Sequence, residues 1–452
     1  MEANMGKLFG TDGVRGVAGS ELTIDLAMKI GRAAAAVLIG QSKHRTKVLI
    51  GKDTRISCDM LESALAAGFC AAGVDVLIAG VVPTPAIAYL TRLYECDAGV
   101  VISASHNPME FNGIKIFSKD GYKLPDALEN DIEELIFDES KMPAYITGKD
   151  VGKIEKVTTA VDDYVAYIAA TAEGNLEGLS VGIDCANGAA SETAKLLFAY
   201  LGAQCHFIGT EPNGCNINDG CGSTHLDKLA VFVKENKLDC GIAFDGDADR
   251  CLAVDENGSE VDGDKMIAIF AKEMKKSGTL KGNAAVVTVM SNLGFMGHMK
   301  ECGIETVATK VGDRYVLEEM LDKGYVLGGE QSGHVILLDH NTTGDGQLTA
   351  VKLLCTLAKS GLKMSELNAI YSQFPQVLLN VKANDEQKKK YKENEELQNY
   401  IQQEDAELGD TGRVLVRVSG TEPLVRVMVE GRNEEEITAC AERIAEKIKE
   451  NI

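Results

Sequence analysis

One pattern occurs three times in this chain: an apolar strand, a polar or glycine-containing turn, an amphipathic helix, a glycine, and a second apolar strand. The first copy runs from KVLIGKDTRIS at 47–57 through LESALAAGFCAAG into VDVLIAG at 74–80. The second runs from LSVGIDCANG at 179–188 through ASETAKLLFAYLG into AQCHFIG, and the third from AAVVTVMSN at 284–292 through GFMGHMKECG into IETVATK. Each reads as a βαβ-type unit, in which two parallel strands are joined by a helical crossover. Gly73, Gly202 and Gly303 stand where the helices must end. Three such copies predict three similar mixed α/β domains.

The rhythm breaks after Phe374. A strand-like QVLLNVKA is followed by the charged, helical EQKKKYKENEELQNYIQQ, the strand pair GRVLVRVSG and LVRVMVEG, and a final helix from Asn433 to Lys449. This tail reads as a smaller α+β domain, and its charge run from Glu386 to Glu407 as a solvated helix face. A chain of 452 residues is too long for one core. The expected segments are 1–155, 156–257, 258–370 and 371–452, the first three alike.

A net charge of −22 argues against nucleic acid and anionic membranes as partners. It permits an anionic small molecule, because basic residues cluster locally at Lys52 and Arg55, at Lys310 and Arg314, and at Arg413, Arg417 and Arg426. Charges beyond about 8 Å are largely screened. The twelve cysteines are scattered without a CxxC pair and read as buried thiols. No apolar run reaches the roughly 20 residues of a membrane span, and MEANMGKLFG has no signal-peptide character, so a cytoplasmic protein is expected.

Four strings carry chemistry. SASHNP at 103–108 follows the apolar strand AGVVIS, which places Ser105 and His106 in a loop beyond a strand's carboxyl end. The strand-like GIKIF then brings Lys115 back toward it. FDGDADR at 244–250 lies between two apolar strands, so Asp245, Asp247 and Asp249 can converge as hard oxygen ligands for Mg²⁺, Mn²⁺ or Ca²⁺. Its spacing resembles an EF-hand loop with Glu256 at the twelfth position, but Arg250 stands where that loop needs glycine. In GGEQSGH at 328–334, Glu330, Gln331, Ser332 and His334 offer the donors and acceptors that sugar hydroxyls require. RVSGTEP at 417–423 has the form of a phosphate clamp: Arg417 supplies a planar fork, Ser419 and Thr421 hydroxyls, and Gly420 close backbone approach. Neither GK[ST] nor GxGxxG is present, so ATP and NAD are unsupported.

These four strings, in this order, together with FGTDGVRG at 9–16, GKDTRIS at 51–57, PTPA at 83–86 and TKVGDRYV at 309–316, resemble the α-D-phosphohexomutases over essentially the whole length. The resemblance implies four domains around a central cleft, three similar mixed α/β domains and a smaller C-terminal α+β domain. It implies that Ser105 is the phosphorylated residue and that Asp245, Asp247 and Asp249, with a phosphoserine oxygen, bind one Mg²⁺. Glu330 and Ser332 would contact sugar hydroxyls, and Arg417, Ser419, Gly420 and Thr421 the phosphate that is not reacting. Arg15, Lys115, Arg250 and His334 match positions that assist proton transfer or charge stabilisation. The implied reaction interconverts glucosamine 6-phosphate and glucosamine 1-phosphate through a 1,6-bisphosphate and supplies amino-sugar and cell-wall precursors. Gln331 and Gly420 favour the amino sugar over glucose or mannose phosphates. A phosphomonoesterase and a silent sugar-phosphate binder are the alternatives from other classes, and homodimerisation is left open.

Overall fold

A computed structural model describes residues 8–10, 12–40, 44–419 and 423–452. The chain divides into two compact units. One comprises Met1–Met290 and Ile304–Ile370, the other Ser291–Gly303 and Tyr371–Ile452.

Three sheets build the first unit. The first has the strand order Val14–Val17, Phe111–Ser118, Ala98–Ile102, Lys47–Lys52, Asp75–Val81, Ile154–Lys156. The second has Glu260–Val261, Cys251–Asp255, Cys240–Phe244, Ser180–Asp184, Gln204–Ile208, and the third Glu305–Thr309, Ala284–Thr288, Leu327–Gly329, Val335–Leu337. The repeat read from the sequence is present in each, as the parallel pairs 47–52 with 75–81, 180–184 with 204–208, and 284–288 with 305–309. Helices Cys58–Ala71, Ala190–Tyr200 and Leu293–Glu301 connect them. Gly73, Gly202 and Gly303 each follow a helix end with φ of +87°, +82° and +63°, the left-handed conformation that glycine adopts without a Cβ penalty.

Each sheet also contains antiparallel pairs. Ala98–Ile102, Cys240–Phe244 and Leu327–Gly329 are followed directly by a strand that returns antiparallel: Phe111–Ser118, Cys251–Asp255 and Val335–Leu337. The first two outgoing strands are buried throughout, as expected of strands covered on both faces. Rigid strands therefore hold three hairpin turns, and those turns are the SASHNP, FDGDADR and GGEQSGH strings.

In the second unit, Gln376–Lys382, Leu424–Gly431 and Gly412–Val418 form an antiparallel sheet with Leu424–Gly431 in the centre. Its apolar core includes Val381, Val425, Val427 and Val429 from the sheet and Ile437, Ile444 and Ile448 from the last helix. The charge run is not one solvated helix. It divides at Asn394, whose side chain accepts from Leu397 N–H at 3.0 Å and caps Glu395–Leu408. Tyr391, Leu397, Ile401 and Leu408, spaced among the charges, are buried in that core.

The crossover helix of the third repeat, Leu293–Glu301, belongs to this second unit rather than with its own strands. Glu430 accepts from Leu293 N–H at 2.8 Å, Arg413 donates to the Ser291 carbonyl at 2.5 Å, and the Asn292 side chain bonds to both Phe374 N–H and carbonyl. Ser291–Gly303, from within the segment 258–370, thus groups with the tail.

The twelve cysteines form no disulfide; most are buried and Cys215 is exposed. Among the described residues no helix is long and apolar enough to cross a membrane.

Candidate active site

Ser105 sits at the end of Ala98–Ile102, 2% exposed, with a left-handed φ of +52°. A non-glycine residue holds such a conformation only when its surroundings impose it. Here they do so from several sides. Its N–H donates to Ser103 Oγ at 2.9 Å, and that hydroxyl donates to Asp53 Oδ2 at 2.6 Å. Its carbonyl accepts from Arg55 Nη2 and from Asn218 Nδ2, each at 2.9 Å. Both side chains also bond the Asn107 carbonyl, at 2.8 and 3.1 Å. The Ser105 hydroxyl is left pointing at Asp245 Oδ2, 2.6 Å away, with His106 Nδ1 at 3.2 Å. Burial, then Arg250 and Arg15, push His106 down to about 4, so its ring is neutral near pH 7.

Asp245, Asp247 and Asp249 are all buried, and one carboxylate oxygen from each lies within 4.8 Å of the others. Asp247 Oδ1 and Asp249 Oδ1 have no hydrogen-bond partner. Burial and the charges of Asp249 and Asp247 hold the Asp245 carboxyl well above the usual range. Burial pushes Asp249 the same way, but Lys115, His334 and Arg250 pull it below the usual range. Three buried carboxylates that cannot all ionise comfortably, close enough to share one ligand and with two oxygens left without a hydrogen bond, fit a divalent cation such as Mg²⁺. The EF-hand reading fails on geometry: the flanking elements are strands, and Glu256 bonds the N–H and hydroxyl of Ser365.

Cations surround the cluster. Lys115 Nζ is 3.3 Å from Asp247 Oδ2 and 3.6 Å from Asp249 Oδ2, placed there by the returning strand Phe111–Ser118. Its pKa is raised: burial opposes its charge, but Asp247, Asp249 and Asp12 outweigh that. Arg250 donates its N–H to Asp245 Oδ1 at 3.2 Å, and its Nε is buried without a hydrogen-bond partner, 4.0 Å from Asp249 Oδ1. The turn is braced from below, where Thr84 Oγ1 donates to Asp247 Oδ2 at 2.6 Å and Ala189 N–H donates to the Gly246 carbonyl at 2.8 Å.

The GGEQSGH turn is sewn to this loop, because Cys251 N–H donates to the Gly333 carbonyl at 3.0 Å. His334 is buried, with Nδ1 3.6 Å from Asp249 Oδ2 and Nε2 3.6 Å from Asp313 Oδ2. Burial opposes its charge, but Asp249, and then Asp313 and Glu330, hold it up at about 9. Gly344 N–H, 3.1 Å from Nε2, favours the unprotonated nitrogen instead. The ring's charge therefore depends on what neutralises Asp249. Glu330 Oε1 accepts from Gly312 N–H at 3.1 Å, while Ser332 is exposed. Gln331 Nε2 lies 3.2 Å from Asp262 Oδ2; an ionised carboxylate only accepts, so the amide NH₂ faces Asp262.

Sequence reasoning missed a second layer. Lys123 Nζ is 3.1 Å from Asp12 Oδ1 and 2.7 Å from Asp313 Oδ2, joining the FGTDGVRG loop to the helix Asp313–Lys323. Burial opposes ionisation of Asp12, but Lys123, Lys115 and Arg15 hold its carboxyl well below the usual range. Arg15, on the strand Val14–Val17, is 3.6 Å from Asp12 Oδ2. Asp53 and Arg55 lay in the quoted GKDTRIS string and so had a signal; Asn218 and Lys123 had none.

Of the residues singled out from the sequence, Ser105, Lys115, Asp245, Asp247, Asp249, Arg250 and His334 form one contiguous cluster, with Arg15 and Glu330 linked through Asp12 and Gly312. Arg417 and Ser419 lie in the second unit, at the hairpin between Gly412–Val418 and Leu424–Gly431. Gly420 and Thr421 lie outside the described residues.

Comparison with known proteins agrees with this geometry. Models of phosphoglucomutase/phosphomannomutase domains match in order along the chain: α/β/α domain I at residues 6–142, domain II at 162–258, domain III at 262–374 and the C-terminal domain at 378–447. A phosphoglucosamine mutase of Acetivibrio thermocellus is 54% identical over 448 residues, covering 99% of this chain and 100% of the relative. One of Clostridium botulinum is 54% identical over 449 residues, with the same coverage. Among solved structures, a phosphoglucomutase/phosphomannomutase family protein of Burkholderia thailandensis has a TM-score of 0.82 at 26% identity, covering 98% of this chain and 97% of that one. The N-acetylphosphoglucosamine mutase of Aspergillus fumigatus, solved with GlcNAc-6P and magnesium, has a TM-score of 0.65 at 19% identity, covering 98% and 96%, and shares the fold. The chain belongs to the phosphoglucomutase/phosphomannomutase family.

Proposed function

We propose that this chain interconverts glucosamine 6-phosphate and glucosamine 1-phosphate, with Ser105 lending and reclaiming a phosphoryl group. The observation that carries the reading is the 2.6 Å contact between Ser105 Oγ and Asp245, at the rim of a three-carboxylate cluster with unsatisfied buried oxygens. The 54% identity to proteins named phosphoglucosamine mutase supports the amino sugar as substrate.

In this reading Asp245, Asp247 and Asp249 hold Mg²⁺, which when bound offsets charge on the non-bridging phosphoryl oxygens. Ser105, carrying a phosphoryl group, donates it to the free hydroxyl of the hexosamine phosphate. The resulting 1,6-bisphosphate turns over, and Ser105 takes back the other phosphate. Lys115 and Arg250 flank the transferring group as fixed positive charges, which stabilise the transition state without reorganising. His334, between Asp249 and Asp313, is the group best placed to exchange a proton with the sugar hydroxyl. Glu330 and Ser332 orient the sugar, and Arg417, Ser419, Gly420 and Thr421 hold the distal phosphate. We read the four segments 1–155, 156–257, 258–370 and 371–452 as carrying the serine, metal, sugar and phosphate loops in turn.

Intact-mass analysis of the peptide containing Ser105, before and after incubation with substrate, tests the phosphoryl carrier: a phosphate's mass should appear on that peptide and be absent in Ser105→Ala. Comparing kcat/KM on glucosamine 1-phosphate and glucose 1-phosphate tests the sugar, and equal or inverted preference would overturn the amino-sugar assignment.

A further inference from the structure

The helix Asp385–Glu393 carries four lysines in a chain whose net charge is −22. Three of them, Lys388, Lys389 and Lys392, line a recess of about 700 Å³ whose opposite wall holds Arg417 and Ser419. The acid that lines the recess, Asp385, is on the lysine helix; it is fully exposed and lies 3.6 Å from Lys388, while Lys389 reaches Glu393 at 3.8 Å. Lys392 is exposed and has no ion pair among the described residues. Lys390 does not line the recess and pairs with Glu386 at 3.7 Å. Exposed pairs of this length neutralise little. Four cations against one acid in a concavity focus a positive potential, and ammonium and guanidinium groups together are suited to phosphate.

This inference rests on the reading of Arg417 and Ser419 as holders of the phosphate that is not reacting. We infer that the lysine-lined recess is a second phosphate site, which keeps hold of the hexosamine 1,6-bisphosphate while it turns over. The chemistry requires something of this kind. To present its other phosphate to Ser105, the intermediate must leave the contacts that fixed it, and at that moment escape into solvent competes with return. Cations adjoining the clamp let one phosphate move from primary to secondary contacts without being fully released. The recess is wide enough for a phosphate and part of the sugar, and its lysines are on flexible stems that can follow a moving charge.

The test uses the full chain phosphorylated on Ser105. In a single turnover with labelled glucosamine 6-phosphate, rapid filtration measures the bisphosphate released free, and steady-state assays measure the added glucose 1,6-bisphosphate needed for half-maximal rate. Lys388→Gln with Lys392→Gln should raise both quantities by about three- to tenfold, the effect of losing two partly screened cations. Lys390→Gln, which removes one positive charge from the same helix outside the recess and so matches Lys392→Gln alone, should behave as the native chain does. Where the double variant does not fold, Lys392→Gln alone, which breaks no ion pair, should raise both by about twofold to threefold. Release and activator demand equal to those of Lys390→Gln would overturn the inference. Failure of the native chain to isomerise at saturating bisphosphate would instead overturn the mutase reading on which it rests.

Discussion

The Arg55 guanidinium donates to the carbonyl of Ser105 at 2.9 Å, so the nucleophile is gripped through its backbone while its hydroxyl stays free for Asp245. The same guanidinium bonds the carbonyls of Asn107 and Pro108 and, through Nε, Asp53 Oδ2 at 2.9 Å. Asp53 in turn receives the hydroxyl of Ser103, which receives Ser105 N–H. One buried ion pair thus sets both ends of the strained serine.

Arg55→Lys keeps the charge but lacks the planar fork that spans three carbonyls. We expect kcat to fall about tenfold to hundredfold, as for a nucleophile displaced by about 1 Å, with a smaller change in KM. Stability should drop by about 3 kcal/mol because the buried Asp53 loses its partner geometry. Steady-state kinetics well below the melting transition, paired with denaturant titration, separate the two effects. An unchanged kcat in the folded variant would show that the serine holds its conformation without Arg55.

Metal binding should be visible without turnover. At a free Mg²⁺ concentration of about a hundred times its Kd, a cation that binds only the folded chain adds about 2.7 kcal/mol. Asp245→Asn should abolish that gain. It should also leave the metal-free chain nearly as stable as the native one, because burial and its neighbours already favour an uncharged Asp245 and an amide oxygen can still accept from Ser105. Thermal melts with and without Mg²⁺ decide this, and a preserved Mg²⁺ shift in the variant would remove Asp245 from the ligand set.

The parts of the site that could be read from the sequence are those whose chemistry is contiguous. Ser105 and the three aspartates stand in short strings after apolar strands, where a turn is forced, and Lys115 lies on the strand that must return. What was hidden is held by partners far along the chain. Asn218 meets Ser105 across 113 residues and Lys123 meets Asp313 across 190, and nothing near either residue marks it. The same holds for the fold. Leu293–Glu301 has the local pattern of the other crossover helices, and contacts with residues of the tail, among them Glu430, Arg413, Phe374 and Tyr371, assign it to the second unit. In the charge run, Tyr391, Leu397 and Ile401, with Leu408 just after it, carry the apolar stripe, too sparse among charges to outweigh composition.

An acid-side pH dependence should arise in the second unit from Glu404. Its hydrogen bonds with Arg443, at 2.5 and 3.1 Å, hold its carboxyl below the usual range against burial. A folded-state pKa below the unfolded value gives stability that is present above about pH 4.3 and lost as pH falls through the folded value. With Arg443 half exposed, the screened contribution is about 1 kcal/mol. Hydrogen exchange of residues 395–448 should therefore show local stability falling below pH 4.3 in the native chain and a flatter profile in Glu404→Gln. Identical slopes would mean that other carboxylates carry the effect.

Gly188 tests whether the metal loop depends on backbone contact rather than on its own side chains alone. A Cβ at this position would lie 2.3 Å from the Gly246 carbonyl oxygen and 2.7 Å from its Cα, closer than atoms of these kinds approach. Gly246 is main chain between Asp245 and Asp247 of the turn, so neither partner is a flexible side-chain end that can swing aside. Overpacking of this kind costs about 1–3 kcal/mol. In Gly188→Ala the strain should fall on the FDGDADR turn, because the neighbouring Ala189 N–H also bonds the Gly246 carbonyl at 2.8 Å and moves with it. The expected result is a weaker Mg²⁺-dependent rise in melting temperature and a lower kcat, with the secondary-structure content of the chain preserved. A variant that melts lower yet keeps the full Mg²⁺ shift would show that the turn holds its shape independently of the strand-end beneath it.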